Sequence, residues 1–276
     1  MKPVAFDHLR PPSLDAALSA LDAPEARAGA RIIAGGQSLG PMLNLRLARP
    51  ERLLDVSGLP ELQEIRETES HVEIGAAVTH ARIEDGACPE PAGGMLRHVA
   101  SGIAYRAVRN RGTIGGSLCH ADPAADWVTA LVALEASVIL RGPGGARREM
   151  PVERFVRGAY LTALAPGEIL TSIRIPRRSA AVAWGYYKIC RKVGEFADAI
   201  GAFLADPPAR ICRVVIGATG GAPLVSETLA HALATTGAPA APDVVRDVLR
   251  QALPALSDIK RQQLAIAHIR SVTGGS

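Results

Sequence analysis

The chain has 276 residues, 48% of them hydrophobic and 21% charged, with a formal net charge of +4. At about 150 residues per domain this length suits two domains, and the apolar fraction is enough for a core without disulfides, which excludes wholesale disorder. The basic excess is small, the arginines are scattered and only 4% of residues are aromatic, whereas a nucleic-acid surface needs clustered charge and stacking rings.

In chain order, MKPVAFDHLRPP has no apolar core, so no secretory signal is expected. Leu14, Ala17, Leu18 and Leu21 follow helical spacing behind Ser13, a good N-cap. Residues 31–34 form a short β-like run that stops at Gly35-Gly36, and residues 52–56 form a second that stops at Ser57-Gly58. Residues 71–74 alternate polar and apolar up to Gly75, as a half-buried strand does. Residues 124–134 read as a helix, and residues 136–140 as a strand ending at the turn 142–145. Residues 169–176, 184–189 and 211–216 read as further strands, residues 239–242 as a break, and the last thirty residues as mostly helix. No βαβ rhythm is sustained, so α+β layers are expected rather than a doubly wound parallel sheet. A boundary is expected near Pro176, giving domains 1–176 and 177–276.

The longest apolar stretch, residues 127–140, contains Glu135 and is shorter than the ~18 residues a membrane span needs. Cys88, Cys119, Cys190 and Cys212 form no CxxC pair, so neither a zinc site nor an iron–sulfur cluster is expected on this chain. Four reduced thiols suit a cytoplasmic protein.

Two glycine-rich segments carry the chemistry. Residues 33–40 read IAGGQSLG and residues 111–117 read RGTIGGS. Each pairs two glycines with a polar follower. Glycine lets backbone approach a ligand closely, and successive amides in such turns form an anion-binding concavity. Each loop alone is an ordinary turn; together they suit a pyrophosphate held from both sides. Neither a G-x-G-x-x-G nor a P-loop sequence is present. Residues 36–40 also match G-x-S-x-G, a serine-hydrolase elbow with Ser38 as nucleophile. Only some thirty residues precede it, too few for the upstream strands and oxyanion loop of that fold.

His120-Ala121-Asp122-Pro123 follows the second loop. Asp122 and Pro123 suit the N-cap and first position of a helix, with Asp126 in its first turns. The alternatives are a carboxylate for ribose hydroxyls and, more weakly, a metal site. Tyr186-Tyr187-Lys188 reads either as an edge strand with solvated charge or as a ring and a lysine directed at a flavin.

Residues 32–50 (IIAGGQSLGPMLNLRLARP) and 108–127 (VRNRGTIGGSLCHADPAADW) closely resemble the FAD-binding medium subunit of molybdenum hydroxylases, the carbon monoxide dehydrogenase and xanthine dehydrogenase family. The resemblance extends through residues 161–176 and 185–199 and covers nearly the whole chain. It implies an FAD domain of the p-cresol methylhydroxylase or vanillyl-alcohol oxidase type followed by a smaller C-terminal α+β domain. It implies a pyrophosphate clasp made by Ala34, Gly35, Gly36, Gln37 and Ser38, with Thr113, Ile114, Gly115, Gly116 and Ser117 opposite, and Ile33 and Leu39 as further cofactor contacts. Arg31 stands where relatives often have lysine. Asp126 falls at the adenosine ribose, Leu170 near the adenine, Ile103 and Tyr186 near the isoalloxazine and Lys188 at the flavin end; His120 matches the family's HAD. The implied partners are a small chain with 2Fe–2S clusters and a large chain with the molybdenum cofactor, assembled as a dimer of heterotrimers. No residue is expected to be catalytic. No His or Cys lies in a motif for covalent flavin attachment, so the FAD is expected to be noncovalent.

Overall fold

The computed structural model describes residues 2–23 and 29–274. The chain opens with β1 (Asp7–Leu9), α1 (Leu14–Asp22), β2 (Ala30–Ile33), α2 (Leu39–Asn44) and β3 (Arg52–Asp55). The three strands lie parallel in the order β1-β3-β2. Ser13 caps α1 by accepting the Ala16 amide at 3.2 Å, as its sequence spacing predicts. Leu14, Ala17 and Leu18 then pack against Leu54, Val56, Leu59 and Leu62. This parallel pairing was not legible in the sequence, because strands of three and four residues carry too little periodicity.

The next layer is built from α3 (Pro60–Gln63), β4 (Ile65–Glu67), β5 (His71–Gly75), α4 (His80–Glu84), α5 (Met95–Ser101), α6 (Arg106–Arg109), α7 (Ile114–His120), α8 (Asp126–Ala133), β6 (Ser137–Arg141), β7 (Arg147–Pro151), α9 (Val152–Phe155), β8 (Val156–Gly158), β9 (Leu161–Thr162) and β10 (Ile169–Pro176). An antiparallel sheet runs β4-β5-β10-β6-β7. Every residue of α8 is buried, the pattern of a helix that is apolar all round. The helix expected to start at Asp122 and Pro123 starts at Asp126 instead, with Ala125 in the cap position. Asp122 Oδ1 accepts the Ala124 amide at 2.9 Å, so it closes a turn ahead of the helix rather than capping it.

The remainder is β11 (Ala183–Ile189), β12 (Ala199–Asp206), β13 (Ile211–Gly217), β14 (Leu224–Val225), α10 (Glu227–Thr236), α11 (Pro242–Ala252) and α12 (Asp258–Thr273). The four strands form an antiparallel meander with β11 at one edge. α12 lies close on the sheet: a Cβ on Gly201 would sit 2.5 Å from the Ala267 carbonyl oxygen. The sheet also packs against α8, where a Cβ on Gly217 would meet Thr129 Oγ1 at 1.8 Å. That approach places β11 beside α8 and α5.

Candidate cofactor site

The two glycine loops, about 80 residues apart in sequence, touch in the fold. A Cβ on Gly35 would lie 1.9 Å from the Arg111 carbonyl oxygen and 2.8 Å from Gly112 Cα. Gly36 has φ +70°, a conformation that favours glycine. The second loop is fastened to the segment after β5: Thr79 bridges Thr113, Ile114 donates to the Val78 carbonyl and Gly115 to the Ala76 carbonyl. A Cβ on Gly115 would lie 2.5 Å from Ala76 Cβ. Thr113 caps α7 by accepting the Gly116 amide at 3.0 Å.

His80 supports this second loop from beneath. Its ring is buried, and Nδ1 accepts the Trp127 indole N–H at 3.0 Å. That bond places the imidazole proton on Nε2, which faces Gly112 closely enough that a Cβ there would lie 2.8 Å away. Burial, assisted by the Arg109 charge, pulls His80 down to about 4. On α7, Ile114, Gly115 and Leu118 face the core while Gly116 and Cys119 are exposed. Cys119 has accessible surface, yet burial pushes its thiol up to about 12. His120 packs its ring on Tyr160, centroids 5.2 Å apart.

At the other end stands a buried polar cluster. Asp126 Oδ1 accepts the Tyr186 hydroxyl at 2.7 Å and pairs with Lys188 Nζ at 2.8 Å. Lys188 Nζ also donates to the Gly102 carbonyl at 2.9 Å. The cluster thereby ties α8, β11 and the end of α5 together. Desolvation raises the Asp126 carboxyl against the opposing pull of Lys188. Burial and then Asp126 raise the Tyr186 phenol well above its ordinary value, so it stays a donor. These residues line a cavity of about 480 Å³ with His98, Gly102, Tyr187 and Arg270.

The cluster bears on the expected roles. The resemblance sends Asp126 to the adenosine ribose and Tyr186 and Lys188 to the isoalloxazine, at opposite ends of an extended dinucleotide. In the fold the three side chains are bonded to one another. β11 is an edge strand, as the simpler reading has it, but Tyr186 and Lys188 are turned inward rather than solvated. Ile103 forms a parallel bridge with Gly194, in the β11–β12 connection. Leu170 lies on β10 with 4% exposure, within the core. Arg31 is exposed on β2, just ahead of the first loop. Gln37 and Ser38 are exposed, and Ser38 makes no capping bond at the start of α2. Among the described residues no histidine hydrogen-bonds Ser38, and β2 is an edge strand of its sheet; the hydrolase elbow lacks its base and its setting.

Two glycine loops that meet backbone to backbone, and a separate cavity lined by an interlayer acid–lysine cluster, suit a protein that binds a dinucleotide. A family model described as the FAD binding domain in molybdopterin dehydrogenase matches residues 4–178. The chain is 34% identical over 251 residues to the caffeine dehydrogenase subunit beta of Pseudomonas sp. (strain CBB1), covering 90% of this chain and 84% of that one. It is 38% identical over 199 residues to the carbon monoxide dehydrogenase medium chain of Hydrogenophaga pseudoflava, covering 72% of this chain and 68% of that one. Two solved structures superpose over 99% of this chain and 98% of theirs. Carbon monoxide dehydrogenase from Hydrogenophaga pseudoflava does so with a TM-score of 0.87 and 31% identity, and quinoline 2-oxidoreductase from Pseudomonas putida 86 with 0.84 and 32%. The chain belongs to the FAD-binding medium-subunit family of the molybdenum hydroxylases; it is an oxidoreductase subunit and its cofactor is FAD.

Proposed function

We propose that this chain takes electrons from 2Fe–2S clusters on a small partner chain, holds them on its FAD and passes them to an external acceptor. The substrate is oxidised on a molybdenum cofactor carried by a large third chain, in a cytoplasmic dimer of heterotrimers. The observation that carries this reading is the contact between the two glycine loops, with Gly35 against the Arg111 carbonyl, near which the polar followers Ser38 and Ser117 stand in sequence. FAD supplies both one- and two-electron chemistry, and the protein supplies position and electrostatics. In this reading residues 34–38 and 113–117 hold the pyrophosphate with Ile33 and Leu39 flanking the first loop, Asp126 serves the adenosine ribose, and Tyr186, Lys188 and Ile103 serve the flavin end. Leu170 lies toward the adenine, with Arg31 just ahead of the first loop and His120 at the end of α7 as further cofactor contacts. The FAD domain occupies residues 1–176 and the C-terminal domain residues 177–276.

The relatives are named for caffeine dehydrogenase, carbon monoxide dehydrogenase and nicotine 6-hydroxylase, and in this reading the small-molecule substrate is bound by the large chain. Purification from the native host through a tag on this chain tests the proposal. It should recover a 2Fe–2S chain and a molybdenum chain in equal amounts, and substrate should bleach the flavin only in that complex. Turnover of an aldehyde, purine or heteroaromatic compound by the isolated chain would replace the subunit reading with a self-contained flavoenzyme.

A further inference from the structure

Arg109 closes α6, and its guanidinium makes four hydrogen bonds. Nε donates to Glu84 Oε2 at 2.8 Å and Nη2 to Glu84 Oε1 at 2.9 Å. Nη1 donates to the carbonyls of Ile103 and Ala104, each at 3.0 Å. The side chain is 12% exposed. A planar fork suits this task, because two donors meet one carboxylate while a third nitrogen reaches the carbonyls.

The turn it grips is under strain. Ala104 has φ +44°, in the left-handed region that an alanine adopts only when its surroundings hold it there. From the far side Gly194 presses on the same turn: its Cβ position lies 2.6 Å from the Ala104 carbonyl oxygen. Two residues beyond Arg109, the Arg111 carbonyl meets Gly35. One arginine therefore stands between the glycine-loop contact and the Ile103 turn.

We propose that Arg109, braced by Glu84, is a positioning residue for the flavin. It locks the Ile103–Ala104 turn against the Gly194 loop, so that Ile103 meets the isoalloxazine at a set distance from the pyrophosphate clasp. The proposal rests on the reading of Ile103 as a flavin-end contact, and its test separates the two.

The full chain loaded with FAD is compared as wild type, Ile103→Ala, Arg109→Lys and Glu84→Gln. The readouts are the flavin absorption bands, the flavin midpoint potential, and the Kd values for FAD and for ADP, which carries the pyrophosphate but no flavin. Ile103→Ala should shift the bands and potential. Arg109→Lys should shift them in the same direction and raise the FAD Kd about tenfold, with the ADP Kd unchanged. Glu84→Gln keeps the carbonyl bonds and loses one arm of the brace, so a smaller shift in the same direction is expected; it carries the test if Arg109→Lys does not fold. Wild-type bands and potential in both Arg109→Lys and Glu84→Gln, beside a shifted Ile103→Ala, would overturn the role of Arg109 and leave the reading of Ile103 standing. Equal losses of FAD and ADP affinity would also overturn it, reducing Arg109 to a support of the loops. An unshifted Ile103→Ala would remove the flavin-end reading and the proposal with it.

Discussion

Gly35 has no room for a side chain, whereas Ser38 a few residues on stands free. A Cβ on Gly35 would enter the Arg111 carbonyl, so Gly35→Ala must part the two loops. FAD content of purified Gly35→Ala, read by flavin absorbance, should fall to near zero, while Ser38→Ala removes at most one hydrogen bond of about 0.5–1.5 kcal/mol and keeps most of its flavin. A Ser38→Ala variant with less flavin than Gly35→Ala would contradict the backbone clasp. Asp126 is a second residue whose role the contacts define. Asp126→Asn leaves Lys188 buried beside a neutral amide, and removing one partner of a buried pair costs about 3–5 kcal/mol. Urea unfolding at neutral pH should show a loss of that order, and a loss below about 1 kcal/mol would mean that the pair does not staple the layers. The glycine pairs and Asp126 were legible because each lies in a short local motif. His80, Glu84 and Arg109 were not, since their partners lie 47 or 25 residues away and no local pattern marks them.

Among the elements, α4 and α8 meet the loop ahead of α7 at His80, and that junction makes the fold sensitive to acid. His80 titrates near 4 in the folded chain and at 6.5 when unfolded. Between those values the unfolded chain binds the extra proton, so stability is full above about pH 6.5 and is lost as pH falls toward 4. The size for this buried ring is about 3 kcal/mol. Protonation would also turn the Nδ1 acceptor into a donor facing the Trp127 N–H. Unfolding free energies of wild type and His80→Asn, measured from pH 7 to pH 4, should converge by about that amount; a constant gap would refute the junction's role. Burial likewise pulls His268 on α12 down to about 4, so some acid lability should remain in the variant. The apolar run of α8 was plain in the sequence. β12 was missed: its AIGAFLAD is rich in small residues and carries few β-branched side chains, and its strand character comes from pairing β11 and β13 on both sides.

For the whole molecule, the α+β layering was legible, but the way the C-terminal sheet seats on the earlier layers was not. That seat rests on close approaches such as Gly217 to Thr129 and on the Asp126–Lys188 pair, which join residues far apart in sequence. It ties α8, which follows the second glycine loop, to β11 with Tyr186 and Lys188. In the proposed reading the two loops clasp FAD without a covalent bond. The direct measurement is acid precipitation of the purified, FAD-reconstituted chain, with flavin quantified in the supernatant and in the pellet. The account predicts about one FAD per chain, released intact into the supernatant, in the stoichiometric range expected of a single built site. Protein that takes up no flavin on reconstitution would contradict the clasp, and flavin that stays with the pellet would contradict its noncovalent character.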